Sequence, residues 1–341
     1  MTALRTIVVG FGQVASGLSN DPRMAAHFKY ASHASVLADH PAFDWQGVVD
    51  PNAAALDDAR TTWQVPHFGA DLAAVVDATQ PEIAVLATPP GNRAEMIEAM
   101  PNLKAVLVEK PLARPGDDGA DSARMAAICA ERGIPVLVNY WRRADRLFQD
   151  LAAQGLAARI GGVQAAFGLY GNGIANNGGH LVDFLRMLLG EVAAVQALGP
   201  ARLAHGAPLP SDRHVAFALT FADGPVATVH PLDFTQYREV GLDIWGETGR
   251  LSILQEGLVT QVFPLAENRG LSGEKEVASD AGEILETTVS DAFYRMYDNL
   301  AAVAEGRAAA WSPLASALVN ERILGLVLRS AAEGGSRLSL G

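Results

Sequence analysis

The first half of the chain alternates short apolar runs with longer stretches of helical periodicity. Runs at 6–9, 45–50, 82–87, 105–108 and 134–138 have strand length and are rich in Val, Ile, Leu and Ala. Between them, 92–100 and 117–132 read as helices, the second ended by Gly133, a residue suited to a helix C-terminus. Strands alternating with helices predict a doubly wound parallel sheet.

From Trp141 the pattern changes. A helix is expected from 142 to about 154, bridging two domains, then a strand over 161–170, a polar glycine-rich loop over 171–179 and a helix over 181–189. After Gly190 come short strands at 214–221, 226–232, 240–245, 250–254 and 259–264, with a hairpin turn at 222–225. Val215, Phe217, Leu219 and Phe221 alternate with His214, Ala216, Ala218 and Thr220, so one face should pack on helices. Such a sheet with a second, weakly polar face often pairs with another subunit. His214 and His230 read as structural. Segment 266–282 is charged and reads as an exposed loop, and 290–307 and 313–332 as closing helices. Tyr294 and Tyr297 fit a core better than a cleft. The expected fold class is α/β: a Rossmann-type doubly wound parallel sheet in 1–140, then an α+β domain in 141–341 with a large, mostly antiparallel open sheet.

Composition agrees with two packed cores. The 341 residues are 49% hydrophobic and 19% charged, too apolar for disorder and too long for one core. No apolar run reaches the roughly 18–20 residues of a membrane helix, and residues 1–10 show no signal-peptide pattern, so a cytoplasmic location is expected. The net charge of −12, with no Lys/Arg cluster, argues against nucleic acid and anionic membranes as partners. The single cysteine, Cys129, lies on an apolar helix face and reads as a buried, inert thiol. It precludes an internal disulfide or a Cys-based zinc site, and no metal site is expected.

Candidate chemistry gathers at the strand ends. The run 6–9 leads into Gly10-Phe11-Gly12-Gln13-Val14-Ala15, the G-x-G-x-x-A form of the dinucleotide fingerprint. Gly10 suits the tight turn, Gly12 the close approach of backbone to pyrophosphate, and Ala15 the packing of helix on strand. Asp50 closes the next strand, where a carboxylate accepts from the ribose hydroxyls of NAD and repels the 2′-phosphate of NADP, so NAD is expected. The interval from Gly12 to Asp50 exceeds the usual ~20 residues. An insertion around 16–30 would explain it, with the first helix resuming at Ser32-His33-Ala34. His33 would then reach the pyrophosphate end only if that loop folds back; a surface or helix-packing role is the alternative. Glu109-Lys110-Pro111 follows the strand 105–108, at the mouth of the sheet. An ammonium there can hold a cofactor, pass a proton or simply leave the strand into solvent. His180, after the glycine-rich loop, should feel the positive end of its helix and favour the neutral, proton-accepting form.

Taken together, these motifs resemble the Gfo/Idh/MocA family, the glucose–fructose oxidoreductase and inositol dehydrogenase group. The matching residues are Gly10–Ala15, Asp50, Thr88-Pro89-Pro90, Glu109-Lys110-Pro111, Arg142-Arg143 after Asn139, and Gly178-Gly179-His180-Leu181-Val182-Asp183. The resemblance covers nearly the whole chain in order. It implies hydride transfer between NAD(P) and a carbinol or ketone carbon of a sugar, polyol or sugar derivative. Cofactor contacts would come from Gly10, Phe11, Gly12, Gln13, Val14, Asp50, Thr88, Pro89, Glu109, Lys110 and Asn139. Lys110 and His180 would be catalytic, with Arg142, Arg143 and Asp183 as further substrate contacts. A homodimer or homotetramer through the C-terminal sheet would follow as well. One position departs from the pattern. Many members carry Asp four residues before the His, and here that residue is Asn176, which cannot stabilise an imidazolium as a carboxylate does. Either Lys110 and His180 share the proton work while Asn176 bonds a substrate hydroxyl, or the protein is a non-catalytic NAD- or sugar-binding regulator.

Overall fold

Along the N-terminal strands, alternate side chains enter two different cores, which is how a sheet covered on both faces must be built. In the computed structural model, residues 2–341 are described apart from 115 and 118. Two compact units divide the chain, one formed by Met1–Ala144 with Ser290–Leu318, the other by Asp145–Val289 with Val319–Gly341.

The first unit contains six parallel strands: β1 (Leu4–Val9), β2 (Phe43–Val49), β3 (His67–Gly69), β4 (Ile83–Leu86), β5 (Ala105–Val108) and β6 (Val136–Val138). Their order is β3-β2-β1-β4-β5-β6, the doubly wound dinucleotide-binding order. Val8, Val85, Leu107 and Leu137 face one core with Met296 and Leu300, while Ile7, Leu86, Val106 and Val108 face the other with Ile97, Met125 and Cys129. Each fully buried aliphatic side chain contributes about 1.5–3 kcal/mol. The buried Cys129 thiol is pushed up by its burial, as an inert core residue requires. The helix expected over 117–132 occupies Ala120–Arg132; position 118 lies outside the described residues.

Two features of this unit were not expected. β3 and the helices Ala53–Thr61 and Leu72–Thr79 complete the sheet's far edge, where three short residues of strand give too weak a periodic signal. The helix Ala292–Ala304, 150 residues beyond the expected boundary by chain position, packs Ala292, Met296 and Leu300 into the first unit's core. A single cut near 140 therefore does not describe the units.

The second unit is built on a ten-stranded mixed sheet, with a separate two-stranded ribbon. Its centre is Val163–Tyr170, paired in parallel with Val226–Pro231 and antiparallel with Gly241–Gly246. Gly168 lets the helix Gly179–Leu189 approach, since a Cβ there would lie 2.9 Å from Leu181 Cδ2. Val215, Phe217, Leu219 and Phe221 are buried as their alternation predicts. The expected strand 214–221 is interrupted, however. Arg213–His214 pairs with Arg202–Leu203, and only Phe217–Phe221 joins the main sheet. The expected loop 266–282 also contains structure: the strand Val259–Glu267 pairs with Lys275–Val277. Edge strands exposed to water need no apolar alternation, so the charged sequence concealed this pairing. The helix expected over 142–154 is likewise broken into a turn at Trp141–Ala144 and helical segments at Arg146–Asp150 and Leu156–Ile160, joined by a wide turn.

Candidate active site

The first unit opens a cleft of about 720 Å³ at the carboxyl ends of its strands, lined by Gly10, Asp50, Thr88, Pro89, Asn92 and Arg114 among others. That is where ligands bind in this topology, beside the reversal of strand order between β1 and β4. Gly10 has φ +87°, and a Cβ on it would meet the Ala87 and Thr88 backbone at 2.8 Å. A Cβ on Gly12 would meet nothing, so its backbone faces open space. Asp50 accepts from the Phe11 N–H at 2.6 Å and the Asn52 N–H at 2.7 Å, which fixes its carboxylate against the fingerprint turn. The Thr88 hydroxyl is buried with no partner among the described residues. A glycine cradle, a fixed carboxylate and an orphaned hydroxyl fit a dinucleotide.

The fingerprint leads into turns rather than directly into a helix. Residues 17–20 form a 3₁₀ turn and Pro22–His27 a short helix capped by Asp21. The chain then folds back. His33 and Ala34 donate their backbone N–H groups to the carbonyls of Val14 and Ala15, so the start of the helix His33–Asp39 is tied to the end of the fingerprint. Ser32 caps it through a reciprocal bond with Ser35. The fold-back carries His33 into the interior, where it is fully buried.

There it joins the turn after β5. Glu109, 6% exposed, accepts from His33 Nε2 at 3.1 Å and from Asn139 Nδ2 at 2.5 Å. His33 Nδ1 lies 2.7 Å from the hydroxyl of the buried Tyr297. A carboxylate only accepts, so Nε2 is the donor to Glu109, and Nδ1 shares the second hydrogen bond with the Tyr297 hydroxyl. Burial drives the Glu109 carboxyl up, but the His33 bond and charge, the Lys110 ammonium and the Asn139 bond together hold it below its ordinary value. Burial, and secondarily the Glu109 charge, push the Tyr297 hydroxyl well above its own. Lys110 is partly exposed at the strand end. On its other side, the fully buried Arg93 donates to Pro111 O at 2.9 Å and Thr88 O at 2.5 Å, and Asp121 accepts from its backbone N–H. The tripeptide is thus fastened at both ends. Arg142 lies over the Trp141 ring at 4.3 Å, and Arg143 donates to Ser316 Oγ and Trp311 O.

The second unit carries Asn176, His180 and Asp183 on one loop and helix. A wide turn over Ile174–Gly178 runs without a break into the helix Gly179–Leu189, so His180 lies one turn inside the helical path and not at its positive end. That end is occupied by the buried Asp212, which accepts from the N–H groups of Ala175 and Asn176 at 3.0 Å each and of Arg213 at 2.7 Å. Burial dominates there and leaves the Asp212 carboxyl above its ordinary value despite those bonds. His214 Nε2 accepts from the Gly173 N–H, and burial disfavours its charged form. The Tyr170 hydroxyl bonds both backbone groups of Val215, pinning the loop's entry. Asp183 is buried and accepts from Asn320 Nδ2 at 2.7 Å, while Asn320 Oδ1 accepts from Arg186.

Residues 4–140 match the family model described as the oxidoreductase family with NAD-binding Rossmann fold, and residues 164–252 match the GFO/IDH/MocA C-terminal domain. The chain belongs to the GFO/IDH/MocA family of oxidoreductases. No curated protein matches it closely enough to count. Among solved structures it is similar to the WlbA dehydrogenase from Bordetella pertussis in complex with NADH and UDP-GlcNAcA, at 20% identity and TM-score 0.73 over 100% of this chain and 99% of that one. Levoglucosan dehydrogenase in complex with NADH and levoglucosan follows at 18% identity and TM-score 0.76 over 100% of both chains. An oxidoreductase from Agrobacterium radiobacter with NAD+, L-tartaric acid and magnesium gives 16% identity and TM-score 0.73 over 99% and 98%. At these identities the likeness is one of fold.

The structure therefore brings together Gly10, Asp50 and Thr88 along the cleft of the first unit, and Glu109, Lys110 and Asn139 at the ends of β5 and β6. Sequence reasoning left His33 open and missed the partnerships of Tyr297, Arg93 and Asp212. The long interval from Gly12 to Asp50 was the one signal for His33. For the others, the partners that matter most lie 18 to 264 residues away and leave no spacing to read.

Proposed function

We propose that this protein is an NAD-dependent dehydrogenase that moves a hydride between the nicotinamide and a carbinol or ketone carbon of a sugar, polyol or sugar derivative. Gly10, Gly12, Asp50 and Thr88 would hold the dinucleotide, with Asp50 favouring NAD over NADP by repelling a 2′-phosphate. When bound, the dinucleotide accepts or supplies the hydride. The chain itself handles the proton. Lys110 meets the substrate oxygen: as a neutral amine it takes the hydroxyl proton during oxidation, and as an ammonium it returns that proton during reduction. His180 and Asn176 are assigned to substrate hydroxyls by their place in the family motif. Arg142, Arg143 and Asp183 have internal partners that suit positioning as much as binding. A cytoplasmic homo-oligomer paired through the sheet surface bearing Phe167, His230 and Trp245 completes the reading.

The observation that carries it is the fastening of Lys110. Its neighbours on either side are held by buried hydrogen bonds, which a merely solvated lysine does not need. Purified protein incubated with NAD+ and a panel of sugars, sugar acids and polyols should form NADH with a defined subset. Asn176, in place of a carboxylate, favours a second reading as a binding regulator. NADH binding without turnover on any member of the panel would select it.

A further inference from the structure

We propose that His33 and Tyr297 are positioning residues for Lys110: Tyr297 orients the His33 ring, the ring's Nε2–H holds the Glu109 carboxylate as a buried anion, and that anion keeps the neighbouring Lys110 in its ammonium form. The chain of contacts is continuous, 2.7 Å from Tyr297 to His33 and 3.1 Å from His33 to Glu109, with Asn139 as a second donor at 2.5 Å. It draws on four separate elements: the helix His33–Asp39, the helix Ala292–Ala304, and the ends of β5 and β6. The groups facing Glu109 from these elements are His33, Tyr297, Asn139 and Lys110 itself.

A brace between helix and strand needs no charge, and burying a carboxylate is costly unless donors and a counter-charge offset it. Both are present here. The donors are His33 and Asn139, and Lys110 lowers the carboxyl's affinity for protons. Such coupling is reciprocal, so an anionic Glu109 must raise the affinity of Lys110 for its proton by the same interaction. Lys110 would therefore enter the reaction as the proton donor and polarise a carbonyl, as reduction requires.

Competitive labelling with isotopic acetic anhydride tests this on the full-length protein, since only the free amine reacts. The peptide carrying Lys110 is read by mass spectrometry against the exposed Lys275. Glu109→Gln should speed acylation of Lys110 about ten-fold at a fixed pH below half-reaction, a fall of about one pH unit in its titration. His33→Leu should do the same, and the double variant should add nothing further. His33→Gln, which restores a donor toward Glu109, should return the rate toward wild type. Tyr297→Phe should give a smaller rise, about three-fold. An unchanged Lys110 rate in Glu109→Gln overturns the proposal whatever happens to His33→Leu. So does a folded His33→Leu protein that is merely less heat-stable, because that is the behaviour of a brace. If His33→Leu does not fold, Glu109→Gln and Tyr297→Phe decide. The consequence for turnover rests on the reading of Lys110 above, but the labelling needs neither substrate nor cofactor and can fail independently of it.

Discussion

Glu109 and Asp212 are both buried carboxylates beside a loop that bears a proposed functional group, yet burial loses at the first and wins at the second. Glu109 belongs to the turn that bears Lys110 and draws side-chain donors from elsewhere in its unit. Asp212 stands outside the loop that bears Asn176 and receives that loop's own backbone N–H groups. The donors at Glu109 include an imidazole that can carry charge, with an ammonium one residue away. Those at Asp212 are backbone amides, and burial disfavours the charged form of the one imidazole acting on it, His214. Neutral hydrogen bonds fix geometry but offset the desolvation of an anion less well than charged ones do. One carboxylate is thus suited to setting charge, the other to setting shape.

Replacing each carboxylate should expose this difference. The largest effect is expected from Glu109→Leu, which leaves His33 and Asn139 as buried donors without an acceptor. Breaking such a site costs about 3–5 kcal/mol, read as a large fall in the melting temperature. Asp212→Ala should cost less, about 2–3 kcal/mol, because its loop amides can recover water. Its signature would be local: the amides of Ala175 and Asn176 should exchange hydrogen faster while those of β1 and β4 do not. Equal, global exchange in both variants would erase the distinction.

The pH dependence should have opposite signs at the two sites. Glu109 is held below its ordinary value of about 4.3, so its contribution is present above that pH and is lost as pH falls through the folded-state value. Asp212 is held above its ordinary value of about 3.9, so its contribution is present below that pH and is lost as pH rises through the folded-state value. Urea melts across this range should show Glu109→Gln flattening the acid-side loss and Asp212→Asn flattening the opposite slope. The smallest effect belongs to Tyr297→Phe, which removes one hydrogen bond worth about 0.5–1.5 kcal/mol and should leave the fold intact by circular dichroism.

Much of this architecture was legible in the residues. The βα rhythm, the fingerprint at Gly10–Ala15, Asp50 after β2 and Lys110 after β5 all lie where local periodicity and turn chemistry put them. What could not be read follows from distance along the chain. His33 and Glu109 are separated by 76 positions, and His33 and Tyr297 by 264. No window of sequence contains both members of either pair, and an apolar helix at 292–304 looks the same whichever core it joins. The expectation that His180 sits at a helix's positive end failed for a local reason. The stretch Ile174–Gly178 before it is already a wide helical turn, and its Asn-Asn-Gly end reads in sequence as a loop.

Lys110→Met keeps the length of the side chain while removing its proton. With a substrate that the wild-type protein oxidises, this variant should lose about 10³-fold in kcat, within the range of general acid–base catalysis, while NADH binding by fluorescence titration stays unchanged. Wild-type turnover by Lys110→Met would contradict the account at its centre.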